Sequence, residues 1–226
     1  MRKIARVLLA TVTGALILSS CACVSQDAVI KEKKELAKKM LEEKYDEKFD
    51  IISVSKGTGG DLTKKKFIAT CVPQEHKDCM FQARIVEGSL SVKDTYVSTM
   101  VCKKMQARLQ ELVDSDDVVF YVETSPAFTK YDNPDISIAD YTSGTNGDFA
   151  IYAVTKQDFA PVKESIYKFT SEYPGVSRPG KSATIWCQQN ASDEQFAEFA
   201  SAAENPIAFA QAEWKYFDEK PGNEDF

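Results

Sequence analysis

KKFIATCVPQEHKDCMFQARIV (residues 65–86) holds two short runs rich in β-branched and aromatic residues, Lys65 to Val72 and Cys79 to Val86, around the turn-forming PQEHKD. Two extended runs with a polar turn between them predict an antiparallel hairpin. FDIISVS, Phe49 to Ser55, comes before it across the glycine-rich GTGGD, so the hairpin grows into a three-stranded meander. A further short strand, SLSVK, is predicted after the Glu87-Gly88 turn.

Helical periodicity brackets the meander. From Ala28 to about Lys48, Val29, Leu36, Ala37, Met40, Leu41 and Tyr45 form one apolar stripe on a lysine- and glutamate-rich helix. After Asp94, read as a cap, Val97, Val101, Met105, Leu109 and Leu112 form the stripe of a second helix. Ser115-Asp116-Asp117 marks a junction. Beyond it VVFYVE (Val118 to Glu123), a weaker extended run ISIADY and FAIYAVT (Phe149 to Thr155) are predicted strands. Asp158 caps a helix that Pro174-Gly175 stops, SATIWCQ (Ser182 to Gln188) is a strand, and Ser192 with Gln195 makes a capping box for DEQFAEFASAA. NPIAFAQAEWKYF reads as helix or edge strand. The whole predicts an α+β fold, antiparallel β-sheet with flanking helices: an α-β-β-β-α unit over 28–113 and an acidic unit of β-β-β-α-β-α type over 114–226.

The amino terminus carries an address. Arg2, Lys3 and Arg6 precede an uncharged apolar run from Val7 to Leu18, about 18 Å of helix against the ~30 Å a membrane span requires, which is the layout of a signal peptide. The run ends in Leu18-Ser19-Ser20-Cys21, which resembles the lipobox of bacterial lipoproteins: an aliphatic residue, two small ones and a cysteine. The resemblance implies cleavage after residue 20, a diacylglyceryl group on the Cys21 sulfur and an acyl chain such as palmitate on the new amino terminus. Residues 21–27 would then be a lipidated tether. Two acyl chains anchor stably where one does not, because each buried CH₂ contributes about 0.8 kcal/mol. The implied place is the extracytoplasmic face of the cell membrane. LAKKMLEEKYDEKFDIISV (Leu36 to Val54), Phe81 to Ile85 and Asp94-x-Tyr96 are similar to uncharacterised small lipoproteins of Gram-positive bacteria, which extends the address without adding catalytic residues.

Charge narrows the partners. The net charge of -6 becomes -9 once residues 1–20 are removed, and an acidic chain of this kind is not built to grip nucleic acid. Residues 21–113 carry 17 basic and 14 acidic side chains, residues 114–226 carry 8 and 20, so the basic half is the one nearest the membrane.

GVSRPGKS (residues 175–182) matches the phosphate-loop pattern G-x-x-x-x-G-K-[ST]. A true phosphate loop follows a strand and opens a helix, whose free N–H groups hold the anion. Here the order is helix then strand, and Pro179 removes a further N–H. The match is read as a connection.

Five cysteines remain after Cys21. Cys71 and Cys79 lie at facing ends of the hairpin strands, so in an oxidising compartment they are a candidate disulfide, and Cys102 with Cys187 a weaker one. Cys71, His76 and Cys79 offer three ligands in C-x₄-H-x₂-C where structural zinc takes four, so neither a metal nor any other cofactor is assigned. With a single histidine and no G-x-S-x-G, no catalytic residues are assigned either. The reading is a non-catalytic binding or interaction module that meets an envelope protein or ligand. The alternatives are an envelope hydrolase, which demands a concave pocket of perturbed carboxylates, and a small solute-binding lipoprotein, which demands a cleft.

Overall fold

The computed structural model describes residues 26–56, 66–89, 91–124, 131–144, 148–177, 183–204 and 209. Expectations that fall on the targeting run, Cys21, Cys23 and most of 205–217 lie outside those residues. The α+β class with flanking helices is as the sequence predicts, built on two sheets.

The first sheet is the meander. β1 (Phe49–Lys56), β2 (Lys66–Pro73), β3 (Phe81–Val86) and β4 (Lys93–Asp94) are antiparallel and adjacent in chain order. Helix α1 (Gln26–Tyr45) covers one face. Its Ala37 and Leu41 are buried against Phe49, Phe67, Ala69, Phe81, Ala83 and Ile85. Alternation along a strand sends every second side chain the other way, so Thr70 and Gln82 face outward. A bulge in β1 changes the phase there. Ile51 pairs with Cys71, yet Ser53 pairs with Thr70, leaving Ile52 as the extra residue and turning Ser53 and Ser55 to the outer face. Lys34 Nζ caps the bulge by donating to the Ile52 carbonyl at 2.8 Å.

Helix α2 (Tyr96–Val113) serves both cores. At its start Tyr96 is enclosed by aromatic rings of the first, with centroids 4.9 Å from Tyr45 and Phe81 and 5.5 Å from Phe49. Further along, Val101, Met105 and Leu109 pack on Val118, Phe120 and Val122 of β5 (Val118–Thr124). Val97, Val101, Met105 and Leu109 of the predicted stripe are therefore buried, against the second sheet, and Leu112 is partly buried at its end.

That sheet has the order β5-β6-β7, with β6 (Phe149–Thr155) antiparallel to β5 and β7 (Ala183–Gln188) parallel to β6. A parallel pair needs a crossover, which α4 (Ala160–Glu172) supplies. α4 shares the α2 face, where Val162, Ile166 and Phe169 join the same core. On the other face α5 (Asp193–Ala203) packs Phe199 and Ala203 against Tyr121 and Tyr152, with the predicted Ser192/Gln195 capping box in place.

The ISIADY run corrects the sequence reading: it is not a strand, and helix α3 (Ile138–Gly144) starts within it. Ser137 Oγ accepts from the Asp140 amide at 3.0 Å and donates to the Asp140 carboxylate at 2.7 Å, which fixes a first helical turn. Ile138, Tyr141 and Thr142 are then buried at helical spacing. Among the described residues, no helix is long and apolar enough to cross a membrane.

Candidate functional site

Between the outer face of the first sheet and the end of β5 lies a cleft of about 700 Å³. One wall is a cross-strand row. Ser53 pairs with Thr70 and Thr70 with Gln82, so three polar side chains stand side by side on neighbouring strands. Thr95 extends the row: its amide donates to the Gln82 carbonyl at 3.0 Å, and its Oγ1 accepts from the Gln82 amide at 3.2 Å.

The floor is one face of α2. Thr95, Ser98, Thr99, Cys102, Lys103 and Gln106 line the cleft, spaced three and four residues apart as a single helical face. Ser98 Oγ and Thr99 Oγ1 both donate at 2.8 Å to the Thr95 carbonyl, so their protons are spent within the helix and their lone pairs remain as acceptors. Tyr121, Val122, Glu123 and Thr124 of β5 form the far wall, with Ala203 of α5 at its rim.

The start of α2 is held in place by a buried carboxylate. Asp94 accepts from Tyr45 OH at 2.7 Å, from Lys44 Nζ at 3.0 Å and from the Tyr96 amide at 3.0 Å. The helix begins at Tyr96, so Asp94 meets its first amide from just outside, while locking the end of α1 to the same point. Burial, with the Asp94 charge beside it, pushes the Tyr45 hydroxyl well above the ordinary tyrosine range.

The charges of the cleft are engaged. Lys103 Nζ lies 2.7 Å from Asp78 Oδ2, and that hydrogen bond holds the Asp78 carboxyl below the usual range. Glu123 Oε1 accepts from Tyr152 OH at 2.9 Å. What the walls offer a ligand is hydroxyl, amide and backbone groups.

Cys71, Cys79, Cys102 and Cys187 are free thiols, and neither expected pairing is formed. Cys71 lies opposite Phe81, two residues past Cys79, so the hairpin register sets the two cysteines on a diagonal. Cys102 packs over β5 whereas Cys187 is on β7 beyond β6, which at ~4.8 Å per strand separates them by about 10 Å. Burial pushes the Cys71, Cys79 and Cys187 thiols up to about 12, and Cys102 up as well. Protonated thiols are poor nucleophiles and poor metal ligands. His76 is exposed, in the turn between β2 and β3. Among the described residues no three metal-ligating side chains converge.

GVSRPGKS leaves α4 and enters β7, the order read from the sequence, with 178–182 outside the described residues. Gly175 has a packing reason of its own. A Cβ there would come 2.7 Å from Thr142 Oγ1 and 2.9 Å from the Thr142 carbonyl carbon.

No protein-family model matches the chain, and no curated protein sequence does. Among solved structures it is similar to a DUF5037 family protein from Ruminococcus gnavus ATCC 29149, at a TM-score of 0.49 and 15% identity over 76% of this chain and 80% of that one.

Proposed function

We propose that the protein is a lipid-anchored lipoprotein of the extracytoplasmic membrane face whose folded body is a non-catalytic binding module, with the cleft over α2 as its ligand site. The observation that carries the binding reading is the composition of that cleft: hydroxyl and amide groups from β1, β2, β3 and α2 converge there, with one carboxylate, Glu123, already engaged by Tyr152. A hydrolytic site needs a base beside a nucleophile or a pair of carboxylates, and the described cleft residues offer neither arrangement. The address is supported by Arg2, Lys3, Arg6 and the Leu18-Ser19-Ser20-Cys21 sequence. Helix α1 begins at Gln26, five residues beyond Cys21, so the folded body would sit close to the lipid surface.

Two measurements test the two halves. Metabolic labelling with a radioactive fatty acid labels the chain and not a Cys21→Ala variant, which leaves the membrane fraction; an unlabelled chain, or a variant that still sediments with membranes, removes the address. Incubation with envelope extract raises the melting temperature of the full chain but not that of Thr99→Trp, whose indole fills the cleft. An equal rise in both proteins moves the binding site elsewhere.

A further inference from the structure

We propose that the cleft takes an extended, uncharged stretch of polypeptide, added as a strand to the outer edge of β5 at Val122. The inference deepens the binding reading above and rests on it.

Four consecutive residues of β5, Tyr121 to Thr124, line the cleft. Successive side chains of a strand point to opposite faces, so a space touching all four runs along the strand's edge. Among the described residues, β5 is the terminal strand of its sheet. Its phase follows from one bond beyond the ladder: the Lys156 amide donates to the Asp117 carbonyl at 3.0 Å, in continuation of the Val118–Thr155 pairing. In an antiparallel ladder hydrogen-bonded pairs alternate with non-bonded ones. Residues 117, 119, 121 and 123 therefore bond to β6, and the N–H and C=O of Val122 point away from it, towards the cleft.

Across the gap, the side chains of Ser53, Thr70 and Gln82 stand in their cross-strand row and make no hydrogen bond to another described residue. A peptide in extended form has donors and acceptors along both edges. One edge would meet Val122, the other the Ser53–Thr70–Gln82 row, in the manner of strand addition. The volume of about 700 Å³ falls within the 300–1,000 Å³ typical of ligand sites. Lys103 and Glu123, each already engaged, add no net charge to the walls, which selects an uncharged segment.

The test uses the full chain and a library of capped pentapeptides randomised over uncharged residues at the three central positions. The tightest binder slows exchange of the Val122 amide proton at least tenfold. Copies of that peptide N-methylated at each amide in turn show a period of two: methylation at the amide facing Val122, whose partner is fixed backbone, weakens binding about tenfold or more, and methylation at its neighbours, which face the rotatable side chains of the Ser53–Thr70–Gln82 row, weakens it by a smaller factor. Absence of binding across the library, equal losses at every methylated position, or binding without protection at Val122 each overturns the proposal. Maltotriose is the control ligand. If it binds wild type and not Thr99→Trp while no peptide binds, the cleft remains the ligand site and the peptide inference alone falls. If peptides, maltotriose and envelope extract all leave the cleft amides unchanged, both fall together.

Discussion

Tyr45, the last residue of α1, donates its hydroxyl proton to Asp94 Oδ1 at 2.7 Å, 49 residues further along the chain. The same carboxylate receives Lys44 and the Tyr96 amide, so one buried acid joins the end of α1 to the start of α2 and sets where the cleft floor begins. Only 1% of the Asp94 side chain is exposed, which leaves no water to replace a lost partner.

Asp94→Ala should therefore cost on the order of 3 kcal/mol of stability, because it strands a buried hydroxyl and an amide together and leaves Lys44 with Asp132 alone of its two carboxylates. Tyr45→Phe removes a single bond and should cost about 1 kcal/mol. Urea unfolding of the two single variants and the double variant measures the coupling between them. Additive effects would mean that the Tyr45–Asp94 bond contributes nothing.

Gly175→Ala should destabilise by about 1–3 kcal/mol, the range for overpacking, since the new methyl meets both the side chain and the backbone of Thr142. Thr142→Ala in the same chain removes the hydroxyl at 2.7 Å and leaves the carbonyl carbon at 2.9 Å, so rescue should be partial. A neutral Gly175→Ala in thermal melts would show that the α3 contact is loose.

The buried thiols make stability fall in alkali. Cys71, Cys79 and Cys187 ionise near 9 when unfolded and are pushed up to about 12 when folded, so between those values the unfolded chain has released protons that the folded one keeps. Their contribution is complete below pH 9 and is lost as the pH rises towards 12. Melting temperatures at pH 8, 9 and 10 should decline, and a Cys71→Val variant should decline less steeply. A melting temperature that climbs over this range would contradict the burial of these groups.

Arg108 hydrogen-bonds Glu172 through Nε at 2.9 Å and Nη2 at 2.7 Å, linking α2 to α4, and this pair holds the Glu172 carboxyl below the ordinary range. In carbon-detected NMR titration the Glu172 midpoint should rise in Arg108→Gln. An unchanged midpoint would mean that the fork is not formed in solution.

Much of this fold is legible in the sequence because its signals are local. The meander strands, the apolar stripe of α2 and the Ser192/Gln195 capping box each depend on residues a few positions apart. Ile138–Gly144 was harder to read, since Ile136 and Ile138 alternate like a strand while the deciding signal, Ser137 capping Asp140, sits in the same run. The parallel β6–β7 pairing depends on how α4 returns the chain, which no local pattern encodes. The cleft was visible only in part. Thr95, Ser98, Thr99, Lys103 and Gln106 form a polar stripe on α2 at the same spacing as its apolar one, but that they face Ser53, Thr70 and Gln82 follows from a bulge at Ile52 and from the packing of α2 on a second sheet.

Amide hydrogen exchange of the full chain, measured with and without envelope extract, tests the binding reading most directly. The cleft account predicts slowed exchange concentrated in residues 95–106 and 121–124, and its loss in Thr99→Trp. Exchange that is unchanged in both segments, or slowed only outside them, would contradict it.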